Sequence, residues 1–304
     1  MKKDRQIKLQ KNKDSYGVLF NAMASPCEVI IQSVDEKLAI KLGDIIATEV
    51  WRIEDKYSRY TRNSVCSAIN NHAGHAVPID EETYLLLSFA EQCFQLSDGL
   101  FDISSGVLRQ LWSFNGDVAS DSHFPTSLQV QQLMLKVGWR KISFTPKTIT
   151  LAEGMEIDFG GIGKEYAVDR AIILAKELTN LPVLVNLGGD LAVTRTRLNN
   201  EPWQVAIEHP ENNSTSRADM IVSLKSGALA TSGDARRYLI NNGKRYGHIL
   251  NAKTGWPVAE APRSITVVAP QCIQAGILAT LALLQGAHAE QFLADQEIKY
   301  WARR

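Results

Sequence analysis

Residues 230–258 read A-T-S-G-D-A-R-R-Y-L-I-N-N-G-K-R-Y-G-H-I-L-N-A-K-T-G-W-P-V, and the punctuation of this stretch decides the kind of fold. Thr231, Ser232, Gly233 and Asp234 are short hydroxyl, glycine and carboxylate residues, which suit a tight turn that presents backbone N–H groups to an anion. Arg236 to Ile240 and Lys244 to Leu250 carry Tyr, Ile and Leu at strand spacing, and Asn242-Gly243 between them is a strong hairpin signal. Alternation puts Tyr246, His248 and Leu250 on one face of the second strand. Thr254, Gly255 and Pro257 then close with another ordered turn. A histidine at a strand end between polar turns is placed for acid–base chemistry, because its unperturbed pKa lies near neutrality. The plainer alternative is a surface or core imidazole with no chemistry.

Working outward, M-E-I-D-F-G-G-I-G-K-E-Y-A-V-D-R-A-I-I-L-A-K-E-L over residues 155–178 predicts a strand from Met155 to Phe159. A glycine turn at 160–163 follows, and a helix from about Lys164. N–H groups freed at a helix N-terminus bind phosphates, and glycines let the ligand come close. The motif is not a Walker A loop, since Glu165 follows Lys164, and it lacks the third glycine of a dinucleotide fingerprint. By itself such a turn serves plain strand-to-helix packing equally well. Pro182 to Val193 predicts a buried strand with close backbone approach at Gly188-Gly189. Trp203 to Glu208 and Asp219 to Leu224 read as strands around the polar E-N-N-S-T-S-R turn at 211–217, and Ser264 to Ala269 is the last strong strand. Gln271 to Gly286 predicts a buried helix, in which Ala275, Ala279 and Ala282 allow close packing and Gly276 and Thr280 share a face one turn apart.

Toward the amino terminus, Cys27 to Ile31 reads as a strand following a Ser25-Pro26 turn. Apolar residues from Leu38 to Tyr57 recur at helical intervals, so a helix is expected from about Asp35 to Tyr57. Residues 56–70 read as a loop with a short helical end. Glu81 to Leu96 and Ser127 to Val137 read as helices, and Lys141 to Leu151 as a weak strand pair. Asp98-Gly99 marks a turn, and Asp102 among apolar neighbours is more simply a cap than a ligand. The expectation is a single α+β unit of mixed sheet and interwoven helices over residues 16–304, with a helical subregion at 35–140 and a flexible arm at 1–15.

The balance of 33 basic and 33 acidic side chains across 304 residues leaves no global field to attract nucleic acid or an anionic membrane. Any anionic ligand must therefore be held locally. Cys27, Cys66, Cys93 and Cys272 have no zinc-like spacing and read as reduced, mostly buried thiols. The charged start lacks an apolar signal core and no apolar run reaches spanning length, so a cytoplasmic protein without membrane insertion is expected.

The order of these pieces resembles the ApbE family, the FAD:protein FMN transferases, over nearly all of residues 20–290. The matching pieces are Met23-Ala24-Ser25, S-R-Y-T-R-N-S with Asn70, F-D-I-S-S-G-V-L-R-Q-L-W-S-F and I-D-F-G-G-I-G-K-E-Y-A-V-D-R. V-N-L-G-G-D, A-T-S-G-D-A-R-R-Y, G-H-I-L-N-A-K-T-G-W-P-V and S-I-T-V-V-A-P follow. The resemblance implies a T-fold-related architecture and an enzyme that binds FAD and Mg2+, moves FMN onto a threonine hydroxyl of an acceptor flavoprotein, and releases AMP. It implies His248 as the general base. A flavin pocket is implied at Met23, Tyr60, Leu100, Phe101, Asp102, Asp158, Lys164 and Ile249, with Thr231, Ser232, Gly233 and Asp234 shaping it. Metal ligands are implied at the Gly161 backbone and at Thr280. The family's metal-binding aspartate is absent, because its place holds Gly276, and Glu165 replaces a glycine. A weakened metal site is therefore expected, with Gly276→Asp strengthening metal dependence. The alternatives to a transferase are an FAD binder with little transfer, or a hydrolase giving FMN and AMP.

Overall fold

The structure, a computed structural model, describes residues 5–114, 124–208, 218–234 and 237–304. Its first strands are β1 (Lys8–Lys11), β2 (Tyr16–Ala22) and β3 (Ser25–Ile31), followed by α1 (Glu36–Tyr57) and α2 (Val65–Asn71). Next come β4 (Ala76–Pro78), α3 (Glu81–Leu96), α4 (Ser127–Met134), β5 (Ile142–Phe144), β6 (Thr148–Leu151) and α5 (Gly163–Leu178). Strands β7 (Val183–Leu187), β8 (Asp190–Val193), β9 (Trp203–Glu208), β10 (Ala218–Leu224), β11 (Gly227–Gly233), β12 (Tyr238–Asn241), β13 (Lys244–Gly247) and β14 (Ser264–Ala269) form the next run. The chain ends with α6 (Cys272–Leu284), α7 (Ala289–Asp295) and β15 (Tyr300–Arg303).

An eight-stranded sheet, ordered β1-β2-β3-β7-β8-β11-β14-β15, carries the molecule, and every adjacent pair in it is antiparallel. Helices α1, α5 and α6 pack on it and on one another. Strand alternation divides its residues between two cores. Val183, Val185, Ala192, Ala228 and Ala230 join the helices in the main core, whereas Leu184, Leu191, Val193 and Leu229 pack with Trp203, Val205, Val222 and Leu224 of the β9–β10 hairpin. Ser232 lies two residues beyond Ala230 and so faces α6. A third core joins Val107, Leu108, Trp112, Val130 and Leu133 to Leu239 of the β12–β13 hairpin. Among the described residues no helix is long and apolar enough to cross a membrane.

Local chemistry accounts for the helix boundaries. Asp35 caps α1 by accepting from Leu38 N, Asp80 caps α3 by accepting from Thr83 N, and Thr126 and Gln129 form a reciprocal capping box on α4. Helix α6 has no side-chain cap from its own Gln271; Asp169 of α5 supplies one, accepting from Cys272 N at 2.8 Å and Ile273 N at 2.9 Å. This contact docks α6 on α5 in a fixed register.

Several sequence expectations change. Part of the arm expected at residues 1–15 is edge strand β1, zipped onto β2 from Lys8↔Leu19 to Lys11↔Tyr16. The turn before β3 is Met23-Ala24, both at positive φ, and Ser25-Pro26 belongs to the strand. Residues 155–159 are irregular, because Ile157 N and O bond the Asn70 side chain and Asp158 N bonds Ile103 O instead of a neighbouring strand. Pro182 to Val193 is two strands: Gly188 and Gly189, at φ 65° and 103°, reverse the chain into a hairpin. Thr231, Ser232 and Gly233 are the end of β11, in register with β14, and not a turn. The Asn242-Gly243 hairpin forms as read, with both residues at positive φ, although β13 stops at Gly247 and Leu250 only bridges Pro257. The 211–217 turn and the Arg236 start of the first hairpin strand lie outside the described residues.

Candidate functional site

The α5 N-terminus, the ends of β8 and β11, and the segment after β13 meet around Lys164. Its ammonium bonds Asp190 Oδ2 at 2.6 Å, and Asp190 Oδ1 accepts from Thr231 N at 3.1 Å. Burial works against the Lys164 charge, but Asp190 and Glu165 outweigh it and hold the ammonium above its ordinary range. Asp190, 2% exposed, is thus tied to both the helix and the sheet. Asp190→Asn should cost about 2 kcal/mol of stability, between the values for surface and buried ion pairs because Lys164 keeps some contact with water. A denaturation midpoint equal to that of the wild type would contradict this.

One residue beyond Thr231, Ser232 Oγ lies 3.0 Å from Thr280 Oγ1 on α6. A turn back along α6 stands Gly276, where an added Cβ would lie 2.5 Å from Glu165 Cγ and 2.8 Å from Glu165 Oε1. The glycine therefore makes room for the glutamate. Glu165 is 9% exposed and its Oε2 is buried without a hydrogen-bond partner. Burial, followed by the charge of Asp190, raises its carboxyl above the usual range.

His248 follows β13, with its N–H bonded to Arg237 O at 3.1 Å and its Nδ1 buried without a partner. Burial, then the Arg237 charge, lowers the imidazole to about 4, with a further lowering contribution from Lys164. It is therefore neutral at physiological pH and able to accept a proton. Phe114 meets the ring edge-on at 6.4 Å. Asp234 anchors this region: its carboxylate bonds Arg245 Nε at 2.8 Å and Arg263 Nε at 2.7 Å, and its Cβ lies 3.0 Å from where a Cβ on Gly247 would stand.

Of the remaining expected residues, Phe101, Asp158 and Tyr60 lie at or beside the glycine turn. A Cβ on Gly161 would lie 3.1 Å from Phe101. Asp158 accepts from Gly160 N at 3.0 Å and from Arg59, which also donates to Tyr60 Oη at 2.8 Å and lies over the Tyr60 ring. Tyr60 is 81% exposed, an open aromatic face beside this turn. Leu100 and Ile249 are half-buried against the core, and Met23 N donates to Glu54 Oε1 at 3.0 Å. Asp102 accepts from Ser104 N at 2.8 Å and Trp139 N at 2.7 Å, so its carboxylate fixes the loop that carries Leu100 and Phe101. The four cysteines are free and buried. The groove between α3 and β5, lined by Tyr84, Glu91 and Phe144 among others, shares no residue with the Lys164 cluster.

Glu165, Asp169, Asp190, Arg59, Arg245 and Arg263 escaped the sequence reading as working residues. Their signal was faint: acids such as Asp169 and Asp190 stand inside apolar runs.

Fold and cluster together define an α+β protein in which lysine, imidazole, hydroxyls and a buried glutamate carboxyl group gather near an uncapped helix N-terminus. The ApbE family profile matches residues 23–301, and the chain belongs to the ApbE family. The FAD:protein FMN transferase of Haemophilus influenzae is 28% identical over 235 residues, spanning 75% of this chain and 68% of that protein. The FAD:protein FMN transferase of Salmonella typhimurium is 26% identical over 284 residues, or 90% and 80% of the two chains. The crystal structure of the ApbE protein from Thermotoga maritima superposes with a TM-score of 0.85 at 28% identity, covering 95% of this chain and 94% of that one. The apo form of the Pseudomonas stutzeri flavinyl transferase ApbE shares the fold, with a TM-score of 0.81 at 24% identity over 99% and 92% of the chains.

Proposed function

We propose that this chain transfers the FMN half of FAD to a threonine hydroxyl of an acceptor flavoprotein, with His248 as general base. The observation that carries the reading is the buried His248 imidazole, whose Nδ1 has no hydrogen-bond partner and which lies close enough to Lys164 at the α5 N-terminus to feel its charge. Helix α5 opens at Gly163 with no side-chain cap, which leaves N–H groups suited to a pyrophosphate, and Lys164 adds positive charge there. The exposed Tyr60 ring offers a stacking face for the flavin or the adenine.

His248 takes the proton from the threonine hydroxyl as its oxygen bonds the FMN phosphorus. The bond from that phosphorus to the bridging oxygen breaks, and AMP leaves with the electron pair. Arg59 and Asp158 hold the Tyr60 loop against the glycine turn, and Asp234 with its two arginines holds the backbone before His248. The donor set fits a hard divalent cation, since the buried Glu165 carboxyl group packs against Gly276, one turn from Thr280 on α6, and its Oε2 has no hydrogen-bond partner. Mg2+ would be held by the Thr280 hydroxyl and the Gly161 backbone together with that oxygen, and when bound it neutralises diphosphate charge.

Purified protein incubated with FAD, Mg2+ and an acceptor domain bearing the target threonine should yield covalent flavin and AMP in equal amounts. AMP without covalent flavin would identify a hydrolase, and FAD binding without either product a binder. The pH profile supplies a second check. The acid limb of kcat/KM reports the free enzyme and should lie nearer pH 4 than 6.5, because His248 is depressed to about 4. With FAD bound, diphosphate charge favours the imidazolium, so the acid limb of kcat should sit at higher pH. A kcat/KM limb at 6.5 would show an ordinary, solvated histidine.

A further inference from the structure

We propose that the Glu165 carboxylate is the acidic ligand of the divalent cation in this chain, reaching from α5 into the place left by the glycine at 276 on α6. The inference rests on the flavin-transfer reading and names the residue that completes its cation site. A buried carboxylate oxygen is costly unless it is hydrogen-bonded, protonated or bound to a cation. Glu165 Oε2 has no hydrogen-bond partner, and the neighbouring ammonium of Lys164 bonds Asp190 instead.

The position of the carboxylate follows from how the two helices dock. Asp169 lies one turn after Glu165 on α5 and grips the α6 N-terminus through Cys272 N and Ile273 N. That grip brings residue 165 opposite residue 276, where Glu165 Cγ, Cδ and Oε1 occupy space 2.5 to 3.0 Å from the absent Cβ. A side chain starting at 276 and the one starting at 165 therefore deliver a carboxylate to the same small volume. Thr280 stands one turn further along that α6 face, with Ser232 Oγ 3.0 Å from its hydroxyl.

Carboxylate and hydroxyl oxygens are ligands for a hard ion such as Mg2+ or Mn2+. No group of three or more His, Cys, Asp and Glu side chains among the described residues is placed to hold a metal ion. An ion of the Mg2+ type takes one or two carboxylates, keeps several waters and completes its shell with substrate phosphates.

The test uses Mn2+ as the probe, following free Mn2+ by electron paramagnetic resonance with the full-length protein and FAD. FAD binding is followed separately by fluorescence, and folding by thermal melting. Glu165→Gln, nearly isosteric, should weaken Mn2+ binding at least tenfold while FAD still binds. The exchange variant Glu165→Gly/Gly276→Asp should recover Mn2+ affinity to within about fivefold of wild type. Wild-type Mn2+ affinity in Glu165→Gln, with FAD and Mn2+ both bound by the parent, overturns the ligand assignment alone. If Glu165→Gln does not fold, a folded exchange variant that binds FAD but not Mn2+ overturns it as well. A parent that binds FAD without Mn2+ overturns the cation site, and a parent that binds neither overturns the flavin-transfer reading together with it.

Discussion

His248→Ala should lower covalent flavin transfer by about 100- to 10,000-fold, the range that a positioned general base contributes. The effect should fall on kcat, with FAD affinity changed only severalfold. The imidazole is already neutral in the free protein, so its removal takes away a proton acceptor and not a charge that grips the diphosphate. Its N–H and C=O are backbone groups that alanine keeps, including the 3.1 Å bond to Arg237 O, and Asp234 with Arg245 and Arg263 still holds the segment. Single-turnover assays with FAD and acceptor separate the two effects. Transfer within tenfold of wild type would remove His248 from the chemistry.

Gly276→Asp, made alone, should destabilise the protein by about 3 kcal/mol or more, at the upper end of core overpacking. The sequence led to a different expectation, that restoring the aspartate would strengthen metal dependence. The structure adds a steric cost to that expectation, because the new Cβ would stand 2.5 Å from Glu165 Cγ and 2.8 Å from its Oε1. Moving Glu165 aside is costly, since α5 and α6 are clamped by Asp169 and the surrounding Ala275, Ala279 and Cys272 are fully buried. A second carboxyl group would also have to be buried in a place with little water. Glu165→Gly in the same chain should relieve most of the loss. Equal melting temperatures for Gly276→Asp and the parent would show that Glu165 leaves that space readily.

The sequence determined the elements whose signals are local. Helices α1 and α3 were read within a residue of their ends, because Asp35 and Asp80 cap them and apolar residues recur at helical spacing. The Asn242-Gly243 hairpin, β9 and β14 were legible for the same reason: turn chemistry and alternation are properties of consecutive residues. The ordered motifs also sufficed to place the chain in its family. What adjacency cannot encode was decided by tertiary structure. Thr231 to Gly233 has the composition of a turn, yet β14 pairs with it and holds it as a strand; Met155 to Phe159 has the composition of a strand, yet its backbone bonds go to Asn70 and Ile103. The carboxylate at 165 and the glycine at 276 are 111 positions apart and look like two unrelated departures from a pattern. Only the docking of α6 on α5 puts them in one volume, where steric exclusion leaves room for a single side chain and Glu165 fills it.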